Sequence, residues 1–353
     1  MKIICAFDSF KGSLSAMDAC RAAERGLLTL GRNDITCIHL PMSDGGEGLV
    51  RCIAPTLHLD MLSVRVKGPM NEPTVAHYAI TSDGQTAYME MAEAAGLTLV
   101  PPARRNPMIA TTYGVGEMIL DAVHRGCSQI VMGIGGSATC DGGRGMVECL
   151  SQAGFFEDEA MKSIRFLVAS DVANPLCGKN GAARIFAPQK GATPDQVEQL
   201  DQRLRDFAIE TANLGICSPD IMYRPGAGAA GGLGFALMAY LHATLRPGIH
   251  LVLDILDFDR HIEGADLVVT GEGKSDRQTL MGKVAMGVLQ RAHHHHIPCH
   301  LLSGQIDDRE MLLSAGFASV SSINAGDTHP LQVLMQKDVA EENLANCMAK
   351  LIC

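Results

Sequence analysis

The sequence predicts an α/β protein of two lobes, one built on a parallel sheet and the other a mixed α/β lobe. Three observations carry this expectation. Apolar runs at Met1–Phe7 and Ile35–Leu40 flank a helical pattern, and each ends in a loop that carries an acid, as neighbouring parallel strands do. Residues 60–100 have a different character, with short strands alternating with tight turns, which reads as a β-meander. The 353 residues suggest two domains, and the last two strand patterns again follow helices, so the chain end is expected to return to the first lobe. The expected lobes are 1–65 together with 285–353, discontinuous, and an inserted lobe over 66–284.

Met1–Phe7 reads as a buried strand ending at Asp8-Ser9-Phe10-Lys11-Gly12. Ala16, Ala19, Cys20, Ala23 and Leu27 then recur at helical spacing. Ser15 with Asp18 three residues on resembles a capping box with Asp in place of Glu, and Gly31 ends the helix. The strand Ile35–Leu40 runs into a loop holding Asp44 and Glu47. In a parallel sheet Asp8, Lys11, Asp44 and Glu47 gather on one edge, where α/β folds bind ligands, although capping and turn duty would also explain such acids. Leu62–Val66, Pro73–Thr81 and Gln85–Met91 are the meander strands, with turns at Lys67-Gly68-Pro69 and Ser82-Asp83-Gly84.

Ile130–Met132 leads into a loop with glycines at 133, 135, 136, 142 and 143, the hydroxyls of Ser137 and Thr139, and Asp141. A strand feeding a Gly-rich loop that opens a helix can hold an anion, because the helix-start N–H groups converge on it. The spacing matches neither GxxxxGK[ST] nor GxGxxG, and a tight turn explains the loop equally well. Ser163–Ala169 is a strand ending at Ser170-Asp171, and Lys190 sits in a Gly/Pro loop before a helix over Thr193–Phe207. Pro225–Gly234 is a second Gly-rich loop, for which close helix packing is the plain reading. Ala265–Thr270 is a strand ending at Gly271-Glu272-Gly273-Lys274-Ser275-Asp276, and Lys283 opens a helix that closes on His293–His296. Adjacent histidines point in several directions, so contact with the helix end and solvent is expected there rather than a metal. Cys299–Ser303 and Ala318–Asn324 are the late strands.

Composition narrows the function. There is no Trp, aromatics are 4%, the net charge is −10 and no basic block appears, which disfavours nucleic acid and anionic membranes as partners. The first apolar run is too short for a signal peptide, and no stretch approaches the roughly 18 apolar residues of a membrane span. The 12 cysteines form no CxxC pair; Cys5, Cys127 and Cys149 fall in apolar patterns, as core thiols of a cytoplasmic protein would. No GxSxG elbow, HExxH or paired CxxC supports a hydrolase or zinc enzyme. Five acids in loops after strands (Asp8, Asp44, Asp141, Asp171, Asp276), with lysines at 11, 190, 274 and 283, suit phosphoryl transfer. Lysines offset phosphate charge, one acid handles a hydroxyl proton, and others hold Mg2+.

These loops resemble, in order along nearly the whole chain, those of the class I glycerate kinase family. The matching segments are Asp8–Ser15, Pro41–Gly48, Gly133–Thr139 with Asp141–Gly143, Asp171–Leu176, Pro188–Ala192, Pro225–Gly234, Gly271–Gly273 with Asp276, and Gly282-Lys283. The resemblance implies the two-lobe glycerate kinase type I fold, a flavodoxin- or Rossmann-like parallel-sheet lobe plus a second mixed lobe, with the active site in the cleft between them. It implies phosphorylation of D-glycerate by ATP with Mg2+, most often at the 2-hydroxyl, with no nucleic-acid or membrane partner; oligomeric state is left open. Asp171, Asp44, Lys190 and Asp276 are the catalytic candidates, with Asp44, Asp171 and Asp276 also candidates for Mg2+. Asp8, Lys11, Gly135, Gly136, Ser137, Thr139, Asp141, Gly271, Glu272 and Lys283 are the substrate- and phosphate-binding candidates. The chain departs from the family pattern in Phe7, Glu93, Ala95, Cys140 for Asn, Lys274-Ser275-Asp276-Arg277 for Arg-Ile-Asp-Ser, and Gln305 after Gly304. It is also short between Gly154 and Ile164. A paralogue that binds glycerate or phosphoglycerate with little or no turnover, and a kinase for another small hydroxy acid, are the alternative readings.

Overall fold

The computed structural model describes residues 1–46 and 48–353, so the expectation for Glu47 lies outside the described residues. It divides into two compact units: Met1–Asp44, Arg51–Leu57 and Ile249–Cys353, and Gly45–Val50 with His58–Gly248. The strands in chain order are β1 (Lys2–Phe7), β2 (Thr36–His39), β3 (Asp60–Lys67), β4 (Pro73–Ile80), β5 (Thr86–Glu90), β6 (Gln129–Gly133), β7 (Arg165–Ala169), β8 (Thr244–Arg246), β9 (Leu267–Gly271), β10 (Lys274–Ser275), β11 (Cys299–Ser303), β12 (Gln305–Ile306) and β13 (Ser319–Ser322).

In the first unit a parallel sheet runs β13-β11-β9-β1-β2. Ile3 to Phe7 have no exposed surface, because this strand is covered on both faces and reads as an unbroken apolar run. The helices Ala16–Leu28 and Lys337–Ile352 pack closely on one another over a core that includes Ile3, Cys5 and Phe7. Gly26 permits the approach: a Cβ there would stand 2.1 Å from the Ala345 carbonyl oxygen. The expected cap forms: Ser15 accepts from the Asp18 N–H at 3.1 Å, and the Asp18 carboxylate pairs with Lys337 at 2.9 Å, which together with Ser15 holds its pKa below the ordinary carboxylate value.

The expected domain boundaries shift. Strand β9 pairs with β1 and β11, so residues 249–284 belong to the first unit and not to the inserted lobe. Strand β3 begins at Asp60 in the second sheet, so residues 60–65 leave the first lobe. Both errors share a cause: a strand's own residues do not say which sheet it joins.

The second unit is built on one mixed sheet, β3-β4-β5-β6-β7-β8. The meander strands pair antiparallel, and β5 to β8 pair parallel. The helix Pro194–Asn213 starts at a complete capping box between Thr193 and Gln196, with Pro194 at its first turn. The helix Val284–His294 of the first unit ends within the histidine run. There the His293 ring meets the Gly316 carbonyl at 3.0 Å and the His295 ring meets Asp259 at 2.9 Å, partners on other segments, while His293, His294 and His296 are exposed as expected. No helix among the described residues is long and apolar enough to cross a membrane.

The Gly26 contact gives a prediction of unusual sign. Gly→Ala inside a helix normally stabilises by about 0.5–1 kcal/mol. Here the added methyl meets backbone, so Gly26→Ala should destabilise by roughly 1–3 kcal/mol in urea unfolding. Unchanged or raised stability would show that the helix pair relaxes freely.

Candidate functional site

Parallel strands end on the same edge, so the first charged residues after β1, β2 and β9 fall there together. Asp8, Asp44 and Glu272 line one pocket of about 380 Å³ in the first unit, with Lys11, Asp276, Gln278 and Lys283. The Asp8 N–H donates to the Gly271 carbonyl at 2.9 Å, which fixes the chain as it leaves the sheet. Its carboxylate accepts from the Ser9 N–H at 2.6 Å. Burial pushes the Asp8 carboxyl up to about 7; the Ser9 hydrogen bond and Lys11 oppose this, and the charges of Asp44 and Glu272 add to it. Glu272 is 7% exposed and accepts from Thr279 Oγ1 at 2.6 Å and Ser275 Oγ at 3.1 Å. Burial raises its pKa, with both hydroxyls opposing.

The other candidates of this unit divide into pocket walls and scaffold. Asp276 accepts from the Gln278 N–H at 2.8 Å, and Lys283 donates to Gln278 Oε1 at 3.3 Å just before the helix Val284–His294. Lys274 pairs with Asp307 at 2.8 Å, where β10 meets β12. Gly271 lies inside β9, and a Cβ there would stand 1.7 Å from the Leu302 carbonyl oxygen. That close strand contact alone demands glycine. The pocket's acids and amides supply oxygen donors, the set suited to Mg2+, which is commonly held by one or two carboxylates and waters. Among the described residues no three of its acids bring ligand oxygens within 4.8 Å of one another, so it forms no closed protein cage.

In the second unit the loop after β6 is tied down from below. Lys190 is 2% exposed and donates to Ser137 Oγ and to the Thr139 carbonyl, both at 2.7 Å. Burial lowers its pKa to about 8. The Thr139 hydroxyl is buried and has no hydrogen-bond partner. Gly136, at φ +72°, takes the left-handed turn, while Gly135 carries no such requirement. The helix Arg144–Gln152 opens as expected, but the chain's own carboxylate occupies its start. Asp141 accepts from the N–H groups of Thr112 (2.8 Å), Gly143 (3.1 Å) and Gly145 (3.2 Å) and from Thr112 Oγ1 (2.8 Å). The anion that the helix start favours is therefore internal. Cys140 points into an apolar cluster with Leu176, Leu204 and Phe207, and burial raises its thiol to about 11.

The second Gly-rich loop packs on the first. The Gly142 N–H donates to the Gly231 carbonyl at 3.0 Å, and a Cβ on Gly231 would stand 2.0 Å from the Thr139 oxygen. Asp171 follows β7, is exposed, and accepts from the Gly248 N–H at 2.9 Å. One residue escapes the sequence reading. Glu90, at the end of β5 and 5% exposed, accepts from the N–H groups of Gly48 (2.6 Å) and Val50 (2.9 Å), holding the segment that follows Asp44. The available signal is a lone acid closing an apolar strand.

The family model for the glycerate kinase family matches residues 3–158 and 151–353, and the chain belongs to that family. The glycerate kinase of Bacillus cereus (strain ATCC 10987 / NRS 248) is 39% identical, the match covering 98% of this chain and 95% of that protein. The glycerate 2-kinase of Escherichia coli (strain K12) is 40% identical, covering 92% and 90%. The crystal structure of a candidate glycerate kinase 2 from Salmonella typhimurium LT2 matches with a TM-score of 0.86 at 38% identity, covering 99% of this chain and 97% of that one. The fold expected from the loops is thereby established. The two stretches of the family match meet at 151–158, beside the region where the chain is short. Here a buried Phe155 and the single turn Glu159–Lys162 lead directly into β7.

Asp141→Ala would leave three N–H donors and a hydroxyl around an empty position. It should lower unfolding stability by about 2–4 kcal/mol. A variant as stable as the parent would show that these donors find other acceptors.

Proposed function

We propose that this member of the glycerate kinase family transfers the γ-phosphoryl group of ATP to the 2-hydroxyl of D-glycerate, giving 2-phospho-D-glycerate and ADP, with Mg2+ as cofactor. The observation that carries this reading is the pocket of Asp8, Asp44 and Glu272 with Lys11 and Lys283 at the carboxyl edge of the parallel sheet. The named glycerate kinase and glycerate 2-kinase relatives support the substrate and the hydroxyl. The departure at Cys140 falls in an apolar cluster and leaves the acid pocket untouched, which favours a working enzyme over a binding paralogue.

Each residue has a task in this scheme. Asp8, brought to about 7 by burial and neighbouring carboxylates, accepts the proton of the glycerate hydroxyl. Asp44 and Asp276 hold Mg2+, which when bound offsets charge on the transferring phosphoryl group. Asp171 is the second-unit acid kept for a catalytic or Mg2+ role. Lys11 and Lys283 balance phosphate charge. The outward backbone of Gly135 and Gly136 receives a carboxylate or phosphate, and the buried Ser137 and Thr139 brace the loop beneath it. Lys190 is a positioning residue, because its amine is engaged by Ser137 and Thr139.

A coupled ADP-release assay with D-glycerate, ATP and Mg2+, followed by product identification, tests the proposal. Glycerate-dependent ADP release with 2-phosphoglycerate as product is expected. No glycerate-dependent release would overturn the kinase reading, and 3-phosphoglycerate would overturn the 2-hydroxyl assignment.

Asp8 makes a second, two-part prediction. Asp8→Asn should lower kcat by a factor on the order of 10²–10⁴, and the parent's acidic limb should lie near pH 7. Stability should move the other way. The folded pKa of about 7 exceeds the ordinary 3.8, so ionising Asp8 costs stability. The cost is absent below the lower value, grows between the two and is full above the higher one. Asp8→Asn should therefore melt above the parent at alkaline pH and close to it in acid. Retained turnover, or a lower melting point at alkaline pH, would refute the assignment.

A further inference from the structure

Strand β2 is the edge of the first sheet, and Cys37 and His39, two residues apart on it, share a face. The register pairs Cys5 with His39, which brings Cys5 to that face as well. The helix Ala16–Leu28 covers it, with Cys20 and Glu24 one turn apart. The Cys20 thiol donates to the Cys5 carbonyl at 3.2 Å, and the Cys5 and Cys37 sulfurs lie 3.4 Å apart. His39 Nε2 is fully buried and has no hydrogen-bond partner; it lies 3.3 Å from a Glu24 carboxylate oxygen. Donor atoms of Glu24, Cys37 and His39 all lie within 4.8 Å of one another, the one such group among the described residues.

We propose that Glu24, Cys37 and His39 form a Zn2+ site that ties the edge strand β2 to the helix Ala16–Leu28. A thiolate, an imidazole and a carboxylate are the donors Zn2+ takes, and the sulfur discriminates against Mg2+. Zinc bonds of about 2.0–2.3 Å hold tetrahedral partners roughly 3.3–3.8 Å apart, so donors already within 4.8 Å close on the ion with small rotations. One thiolate, one carboxylate and a neutral imidazole balance a divalent charge, and water takes the fourth position. The Cys5 and Cys37 sulfurs share a hydrogen bond, which with burial pushes the Cys5 thiol up and with His39 brings Cys37 down to about 6. Where Cys37 is still a thiol, binding releases its proton to solvent as the sulfur–zinc bond forms. Each of the three residues is partly accessible, so an ion can enter.

The test uses the full chain, stripped of metal and kept reduced with a phosphine. Calorimetric titration with Zn2+ should give one site per chain, and saturation should raise Tm. Titration with Co2+ should produce a sulfur-to-cobalt charge-transfer band. Cys37→Ser should lose that band. Glu24→Gln, a change at a partly exposed helix position, should weaken Zn2+ binding at least about tenfold, with glycerate turnover unchanged as the check on folding. A cobalt complex without the sulfur band, or Zn2+ affinity unchanged in both variants, would overturn the site; the second outcome would move the metal to residues such as the 293–296 histidines.

Discussion

A strand covered on both faces can carry no charge until it ends, and the arrangement of acids follows from that constraint. Strand β1 is sealed from Ile3 to Phe7, and the first charged residue beyond it is Asp8. The strands β2 and β9 flank it in parallel, so their first acids, Asp44 and Glu272, come out on the same edge. Burial is the main reason that Asp8 holds its proton up to about pH 7, and the charges of Asp44 and Glu272 in the same pocket add to it. Three lysines stand on this edge with the acids, Lys11 and Lys283 together with Lys274, which is paired with Asp307.

The glycines obey a second constraint, close approach of backbone to backbone. Gly271 lies against the Leu302 carbonyl, Gly231 against that of Thr139, and Gly26 against that of Ala345. Only part of the glycine-rich sequence is therefore available for ligand contact. The segment Pro225–Gly234 supports the loop after β6 by packing on it, as its composition suggests. Asp141 supplies the helix-start anion from within the chain. What faces outward from that loop is Gly136 and the half-exposed Gly135.

The same division explains what is legible in the sequence. Strand ends, the meander, the Thr193 cap and the position of Asp8 and Asp44 depend on residues close in the chain, and all are readable. Asp141 is readable as an acid in a glycine loop but not as a scaffold, because its partner Thr112 lies 29 residues away. Glu90 is bound to residues some 40 positions earlier. The placement of β9 depends on β1 and β11, so residue order alone puts 249–284 in the wrong lobe. Loop resemblance identifies the family while leaving open which loop residues hold ligand and which hold one another.

Burial alone does not mark a functional group. It raises the thiols of Cys20, to about 12, and of Cys140, to about 11, and those groups are neutral, packed and chemically quiet. Applied to Asp8 and Lys190, the same desolvation acts in opposite directions, bringing an acid up to about 7 and an amine down to about 8. Both then change charge near neutral pH, yet their surroundings differ. Lys190 is sealed under its loop by two hydrogen bonds, so its nitrogen orders the loop. Asp8 opens on a pocket with other charged side chains and one hydrogen bond from its own loop. A shifted proton affinity can become chemistry only where the group also has room for a reactant; in the first unit Asp8 and Glu272 both meet that condition, and they differ in that two side-chain hydroxyls already donate to Glu272 while Asp8 accepts from the Ser9 N–H of its own loop.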